Sequence, residues 1–297
     1  MLGFLLFFTE PARIVESALK ITPVTYLLAL SLYFLAHAVN SAKWHLLLPE
    51  ISILTLAKFN FVGAFYSLVL PGQISGEIAK TWRLAKGNPI AEQVAASVFI
   101  DRVTGIIALL VLALIGASLS KSDIAGFILL PCAMAVVILF LSLFLMRVAA
   151  IQNFVQSSMK WVVEPIPLVR NQLPKVLKVL AHLAYYSHAP SKLIVAILMG
   201  SIFQAAVIAI TVLFSHSLGA NIGFLDLAWI IGIISLMVFL PISISGIGVR
   251  ELGFVGILSF FEIDISTAVT LSLLLFSLQI VGAAIGALFE LTAKGKT

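Results

Sequence analysis

Arg250 and Glu251 are adjacent ions inside a run of apolar sequence, and Pro241, Gly246, Gly248, Gly253 and Gly256 crowd around them. Ionisable residues at membrane depth are expensive and mark a substrate or ion pathway. A bilayer tolerates broken backbone only where protein or a water-filled cavity satisfies the freed amides and carbonyls. The chemistry these residue types suit is recognition of a charged group. Arginine matches phosphate oxygens in a bidentate fork. Helix N-termini and glycine amides turn N–H donors toward an anion. The plain alternative is a short aqueous loop with a surface ion pair, which is worth little.

The stretch occurs twice. Leu70-Pro71-Gly72-Gln73-Ile74-Ser75-Gly76-Glu77-Ile78-Ala79-Lys80 lines up with Leu240-Pro241-Ile242-Ser243-Ile244-Ser245-Gly246-Ile247-Gly248-Val249-Arg250. Leu, Pro, Ile, Ser and Gly agree at matched places, Lys80 stands opposite Arg250, and the offset is 170 residues throughout. Paired, Gly/Pro-interrupted apolar segments in two halves of a chain point to a transporter's binding site. The candidate site therefore takes Ser75, Gly76, Glu77, Lys80 and Arg83 from one copy, and Ser245, Gly246, Gly248, Arg250 and Glu251 from the other. Asp101 and Arg102, inside the apolar run 91–119, complete it. Backbone amides at Ser75-Gly76 and Ser245-Gly246 are expected to contact phosphate, with Arg250, Lys80 and Arg102 supplying charge. Glu77, Asp101 and Glu251 are expected to neutralise the empty site or bind an amine, and one could carry a proton if its pKa is raised. Neighbours in a helix do not face each other, so Asp101 and Arg102 are expected to pair elsewhere, and a structural ion pair is the rival role. Arg250→Ala is expected to abolish function with folding intact, and Lys121→Ala to do neither.

These residues need elements that hold them within a bilayer. The 297 residues are 61% hydrophobic and 10% charged, with a net charge of +5, against about 25% charged for a soluble domain. The expected fold is all-α: a polytopic helical membrane protein forming one membrane domain over 1–297. The one cysteine, Cys132, excludes a disulfide framework. No cofactor and no metal are expected, and no long basic run suggests nucleic acid. Met1–Phe8 lacks the basic start and cleavage site of a signal peptide, and 1–20 reads as an interfacial helix. The run 25–40 forms the first span, with Lys43 and Trp44 as its anchors. His37 within it reads as a hydrogen-bonded interior histidine. Segment 51–87 reads as a re-entrant hairpin. Spans follow at 91–119 and 124–146, the latter bent at Pro131. The connector 147–190 is basic and amphipathic, suited to an anionic membrane surface. Segment 192–216 is a span, 227–261 a second re-entrant hairpin, and 266–291 a last span.

Basic residues concentrate in 147–192 and at Lys294 and Lys296, so these go inside and the C-terminus is expected to be cytoplasmic. The loop 217–226 and the Glu262/Asp264 turn lack Lys and Arg and go outside. The 170-residue offset then maps 21–40 onto 191–210, 51–87 onto 221–257, and 91–119 onto 261–289, each with reversed direction. Repeat A (21–119), a connector (120–190) and repeat B (191–292) make inverted-topology repeats. The arrangement requires the two hairpin tips to meet.

Pro241 to Glu251 with its Gly-Val-Arg-Glu ending, the Leu-Pro-Gly segment through Gly76 and Glu77, and Asp101-Arg102 resemble the lysylphosphatidylglycerol synthase transmembrane family, also called flippase-like. The resemblance spans roughly 20–292. It implies movement of a phospholipid or polyprenyl-phosphate-linked glycolipid between leaflets of the cell membrane, with an anionic or lipid-linked headgroup as substrate and membrane lipids as partners. Synthases in the family carry a soluble domain after the membrane part, and the chain stops at Thr297, so synthase activity is expected to be absent. Pro241-Ile242-Ser243 has Ile and Ser where many members carry small residues. The rival readings are a membrane-embedded enzyme and an accessory scaffold for lipid-linked glycan or aminoacyl-phospholipid assembly. No Gly-x-Ser-x-Gly and no complete Gly-x-Gly-x-x-Gly supports catalysis.

Overall fold

Apolar runs interrupted by Pro, Gly and capping residues divide the chain into helices. The computed structural model describes residues 11–70, 72, 74–163, 166, 171–239, 243 and 245–294. Motif residues Pro71 and Pro241, the first half of the expected interfacial helix 1–20, connector residues Glu164 and Arg170, and Lys296 lie outside them. The described residues contain α1 (Pro11–Leu19), α2 (Pro23–Leu47), α3 (Ile53–Val69), α4 (Ile74–Ala85), α5 (Ala91–Leu119) and α6 (Gly126–Leu145). They continue with α7 (Ala149–Val163), α8 (Leu173–Ser187), α9 (Pro190–Ser217), α10 (Phe224–Phe239), α11 (Val249–Leu258) and α12 (Ile265–Lys294). No strand occurs among them. The protein is a helical, multi-pass membrane protein.

Local chemistry sets the boundaries. Thr22 caps α2 by accepting from the Thr25 amide at 3.1 Å, and Pro23 opens the helix. Ser52 caps α3 through Thr55, and Asp264 caps α12 through the Thr267 amide at 3.0 Å. Such caps satisfy N–H groups that a helix start leaves orphaned. Between α10 and α11 the chain takes positive φ at Ser245 (54°), Gly246 (78°) and Gly248 (89°). That backbone cannot continue a right-handed helix. A Cβ on Gly246 would also sit 2.5 Å from Val238 Cγ1.

Among the described residues, five helices are long and apolar enough to cross a membrane: α2, α5, α6 with the turn before it, α9 and α12. The apolar α3 and α10 have 17 and 16 residues. At ~1.5 Å per residue they reach about 25 Å, short of a ~30 Å hydrocarbon core.

Helix pairing repeats itself across the two halves. The helix α2 packs on α9, its counterpart at the offset. As α3 packs on α12, α10 packs on α5; as α3 packs on α4, α10 packs on α11; and α4 meets α5 as α11 meets α12. Gly116 and Gly286, 170 residues apart, do equivalent work in this scheme. A Cβ on Gly286 would fall 1.9 Å from the Phe61 carbonyl of α3, and one on Gly116 would fall 2.4 Å from the Leu225 carbonyl of α10. Glycine lets helix backbones touch where lipid supplies no hydrophobic push.

The first span runs further than the apolar run suggested, which corrects one expectation. Lys43 and Trp44 lie in the last turns of α2 and are not interfacial anchors: they are 3% and 0% exposed. The Trp44 indole donates to Ser97 Oγ at 3.0 Å, and Lys43 reaches Asp101, so α5 covers both. Outside the bundle, α6 packs chiefly on α5 and turns Phe127, Leu130, Val137 and Ile138 outward. The connector folds as α7 and α8, with Lys175 and Lys178 exposed and Leu183 buried.

Candidate functional site

The helix α4 places Glu77 and Lys80 one turn apart, with Lys80 Nζ 2.8 Å from Glu77 Oε2. Lys80 also donates to Asn60 Oδ1 at 3.3 Å and lies 4.6 Å from the Trp44 ring centre. Asn60 Nδ2 donates in turn to Ser41 Oγ at 3.1 Å. The buried ammonium is thereby shared between a carboxylate, an amide and an aromatic face, as a desolvated charge requires. From α5, Asp101 turns to Lys43 (3.0 Å) while Arg102 turns to Glu77 (4.0 Å) and stacks 4.2 Å over the Phe239 ring. The Glu77 and Asp101 oxygens that approach the lysines have no aligned hydrogen bond among the described residues. These contacts are ones of charge.

In the other half, Arg250 and Glu251 form a second buried group, 6% and 1% exposed. Arg250 donates from Nε to Ser272 Oγ (3.0 Å) and from Nη1 to Gln279 Oε1 (3.0 Å), and Nη2 lies 3.5 Å from Glu251 Oε1. Ser272 donates onward to Glu251 at 2.7 Å, and the other Glu251 oxygen accepts from the Gly248 N–H. A buried pair survives only when such extra hydrogen bonds offset desolvation.

The two halves touch at their breaks. The Gly72 amide donates to the Ser243 carbonyl at 3.2 Å. Beside this contact lies a cavity of about 350 Å³, lined by Glu77 and Arg102 from one half and Ser245, Arg250 and Gln279 from the other. A second chamber of about 220 Å³ adjoins it, lined by Asn40, Lys43, Asn60, Lys80 and Asp101. His37, Ser67, Glu77, Arg102, Gln204 and Phe239 line both. Four cations (Lys43, Lys80, Arg102, Arg250) face three carboxylates (Glu77, Asp101, Glu251), leaving one positive charge over.

Not every expected residue joins the cavity. Arg83 shares a helical face with Glu77 and Lys80 but reaches Glu290 of α12 at 2.7 Å, where Tyr66 also donates. Ser75 does not line either chamber; its hydroxyl donates to the Gly72 carbonyl at 2.5 Å and so closes the turn into α4. Gly76 packs: its Cβ would lie 2.0 Å from Ser67 Oγ and 2.3 Å from the Gly63 carbonyl. Gly246 packs on Val238, and the Gly248 amide is already engaged by Glu251, so Gly248 offers no free phosphate donor. Ser245 lines the larger chamber.

Asn40, Asn60, Gln204 and Gln279, missed from sequence, also line the chambers, as do Lys43 and His37, which were given other roles. His37 is not the hydrogen-bonded histidine expected. Its ring packs against Tyr33, Phe61 and Phe203, and its buried Nδ1 has no partner among the described residues. Single polar residues inside long apolar helices were the available signal. Only Asp101-Arg102, being a pair, stood out. Among the described residues no cluster of three His, Cys, Asp or Glu could hold a metal.

Fold and site together define a multi-pass helical membrane protein with an ion-lined polar cavity among its apolar helices. The chain belongs to the family of the lysylphosphatidylglycerol synthase TM region, whose model matches residues 1–286. Membership places it among membrane proteins of lipid-related processes. No curated protein and no solved structure matches the chain.

Proposed function

We propose that this protein carries the polar head of a membrane lipid between leaflets. The observation that supports it best is the Gly72–Ser243 contact beside a cavity that draws charged residues from both halves. In this reading α3–α4 and α10–α11 are re-entrant hairpins entering from opposite faces, and the halves are inverted repeats joined by the connector. The short lengths of α3 and α10 and the exchanged helix pairing favour it. The C-terminus lies in the cytoplasm and the protein in the cell membrane.

Size supports a head-only cargo. At ~30 Å³ for each water-sized group, the larger chamber holds about a dozen such groups. That accommodates a phosphate with a small substituent, while acyl chains stay in the bilayer. Net positive charge favours an anionic phosphate, and Arg102 is the cation best placed to meet it, with its side chain 32% exposed.

The test is a leaflet-resolved assay in proteoliposomes with fluorescent phospholipid. Purified protein is expected to move lipid without altering it, and Arg102→Gln to lose most of that activity. Covalent turnover of the lipid, or equal rates for empty vesicles, would sink the proposal.

A further inference from the structure

Resting on the headgroup reading above, we infer that the cavity selects a phosphate ester whose substituent is uncharged and hydroxylated, and rejects one bearing an ammonium. The argument begins with which groups are already satisfied. Glu77 is held by Lys80 at 2.8 Å and faces Arg102 at 4.0 Å. Asp101 is held by Lys43 at 3.0 Å, and Glu251 by Arg250, Ser272 and the Gly248 amide. A cationic head finds no carboxylate without a counter-charge here. It meets the one positive charge left over, with Arg102 the cation held most loosely at 4.0 Å, and like charges in a low-dielectric space repel strongly.

The unsatisfied groups are of another kind. None of the five N–H donors of Arg102 makes a hydrogen bond among the described residues; the guanidinium rests on Phe239 and lies at the border of both chambers. Asn40 and Gln204 also make none among the described residues, and His37 Nδ1 is buried without a partner. Two amides and an imidazole, each able to donate and to accept, match hydroxyl groups, which do both. A site built around hydrogen-bonding groups rejects ligands that leave those groups unpaired. Arg102 therefore takes the phosphate at the border, and Asn40, Gln204 and His37 take hydroxyls of a glycerol or sugar in the smaller chamber.

The test is lipid binding by native mass spectrometry on the full chain in detergent, titrated with phosphatidylglycerol, lysyl-phosphatidylglycerol, phosphatidylcholine and water-soluble glycerol 3-phosphate. Phosphatidylglycerol is expected to bind about tenfold or more tightly than the two lipids whose heads bear an ammonium, the scale of losing hydrogen bonds to a charged site. Arg102→Gln should weaken it and Arg102→Lys should restore part of the loss. Asn40→Ala combined with Gln204→Met should shrink the preference over phosphatidylcholine while leaving phosphate affinity. Equal or tighter Arg102-dependent binding of the ammonium-bearing lipids overturns the headgroup inference and leaves the lipid-carrier reading intact. Glycerol 3-phosphate binding as tightly as the lipid overturns the carrier reading and keeps the head chemistry. Lipid binding indifferent to Arg102, in variants that stay folded, overturns both.

Discussion

Arg250 and Arg102 are both arginines facing one cavity, yet the structure gives them different work. The three Arg250 nitrogens that reach Ser272, Gln279 and Glu251 tie α11 to α12, and its side chain is 7% exposed. Removing it leaves Glu251 buried without its counter-ion, a loss of about 3–5 kcal/mol. Arg250→Ala is therefore expected to lower the detergent melting temperature sharply, contrary to the intact folding expected from sequence. Adding Glu251→Gln should recover part of the loss, and an unchanged melting temperature for the single variant would refute the role. Arg102 is stacked and ion-paired at 4.0 Å without hydrogen bonds among the described residues, so its loss is the cleaner probe of function. Sequence exposed Arg250, Glu251, Asp101 and Arg102 because charge is conspicuous in apolar surroundings. It misassigned Lys43 and Trp44 because a Lys-Trp pair closing an apolar run has the same pattern at a membrane surface and beneath another helix. Ser97 and Asp101 decide between them, and they lie more than fifty positions away.

At the scale of helices, close backbone approach holds the bundle. Gly286→Ala would press a methyl group into the Phe61 carbonyl, so α12 and α3 must separate. Overpacking of this kind costs about 1–3 kcal/mol, and the melting temperature should fall. Gly256, with nothing within 4 Å of an added Cβ, is the contrasting site. Gly256→Ala should be neutral or gain up to ~1 kcal/mol from helix propensity. Equal effects at both sites would remove the packing argument. The helices themselves were readable from hydropathy and punctuation, since Pro23, Pro190 and the break after Phe239 fall where helices start and stop. Which face of each helix meets which partner was not. Arg83 shows why: its position on α4 aligns it with Lys80, but α12 stands within its reach and Glu290 claims it.

For the whole molecule, segments 170 residues apart take corresponding helix partners, with Gly116 and Gly286 at corresponding contacts. Orientation is testable by single-cysteine labelling in cells after Cys132→Ala. A cysteine at Asn88, after α4, should react from the cytoplasm, and one at Glu262, before α12, from outside. Labelling of both from one side would exclude inverted hairpins.

The amide of Gly72 meeting the carbonyl of Ser243 joins chain segments far apart in sequence. A hydrogen bond of this sort nets about 0.5–1.5 kcal/mol, only one to three times the thermal energy of ~0.6 kcal/mol. By itself, a bond of that strength does not lock the two segments against thermal motion. A rocking motion of the two tips would then need no fuel to begin, and whatever gradient or cargo biases it would have only to choose a direction.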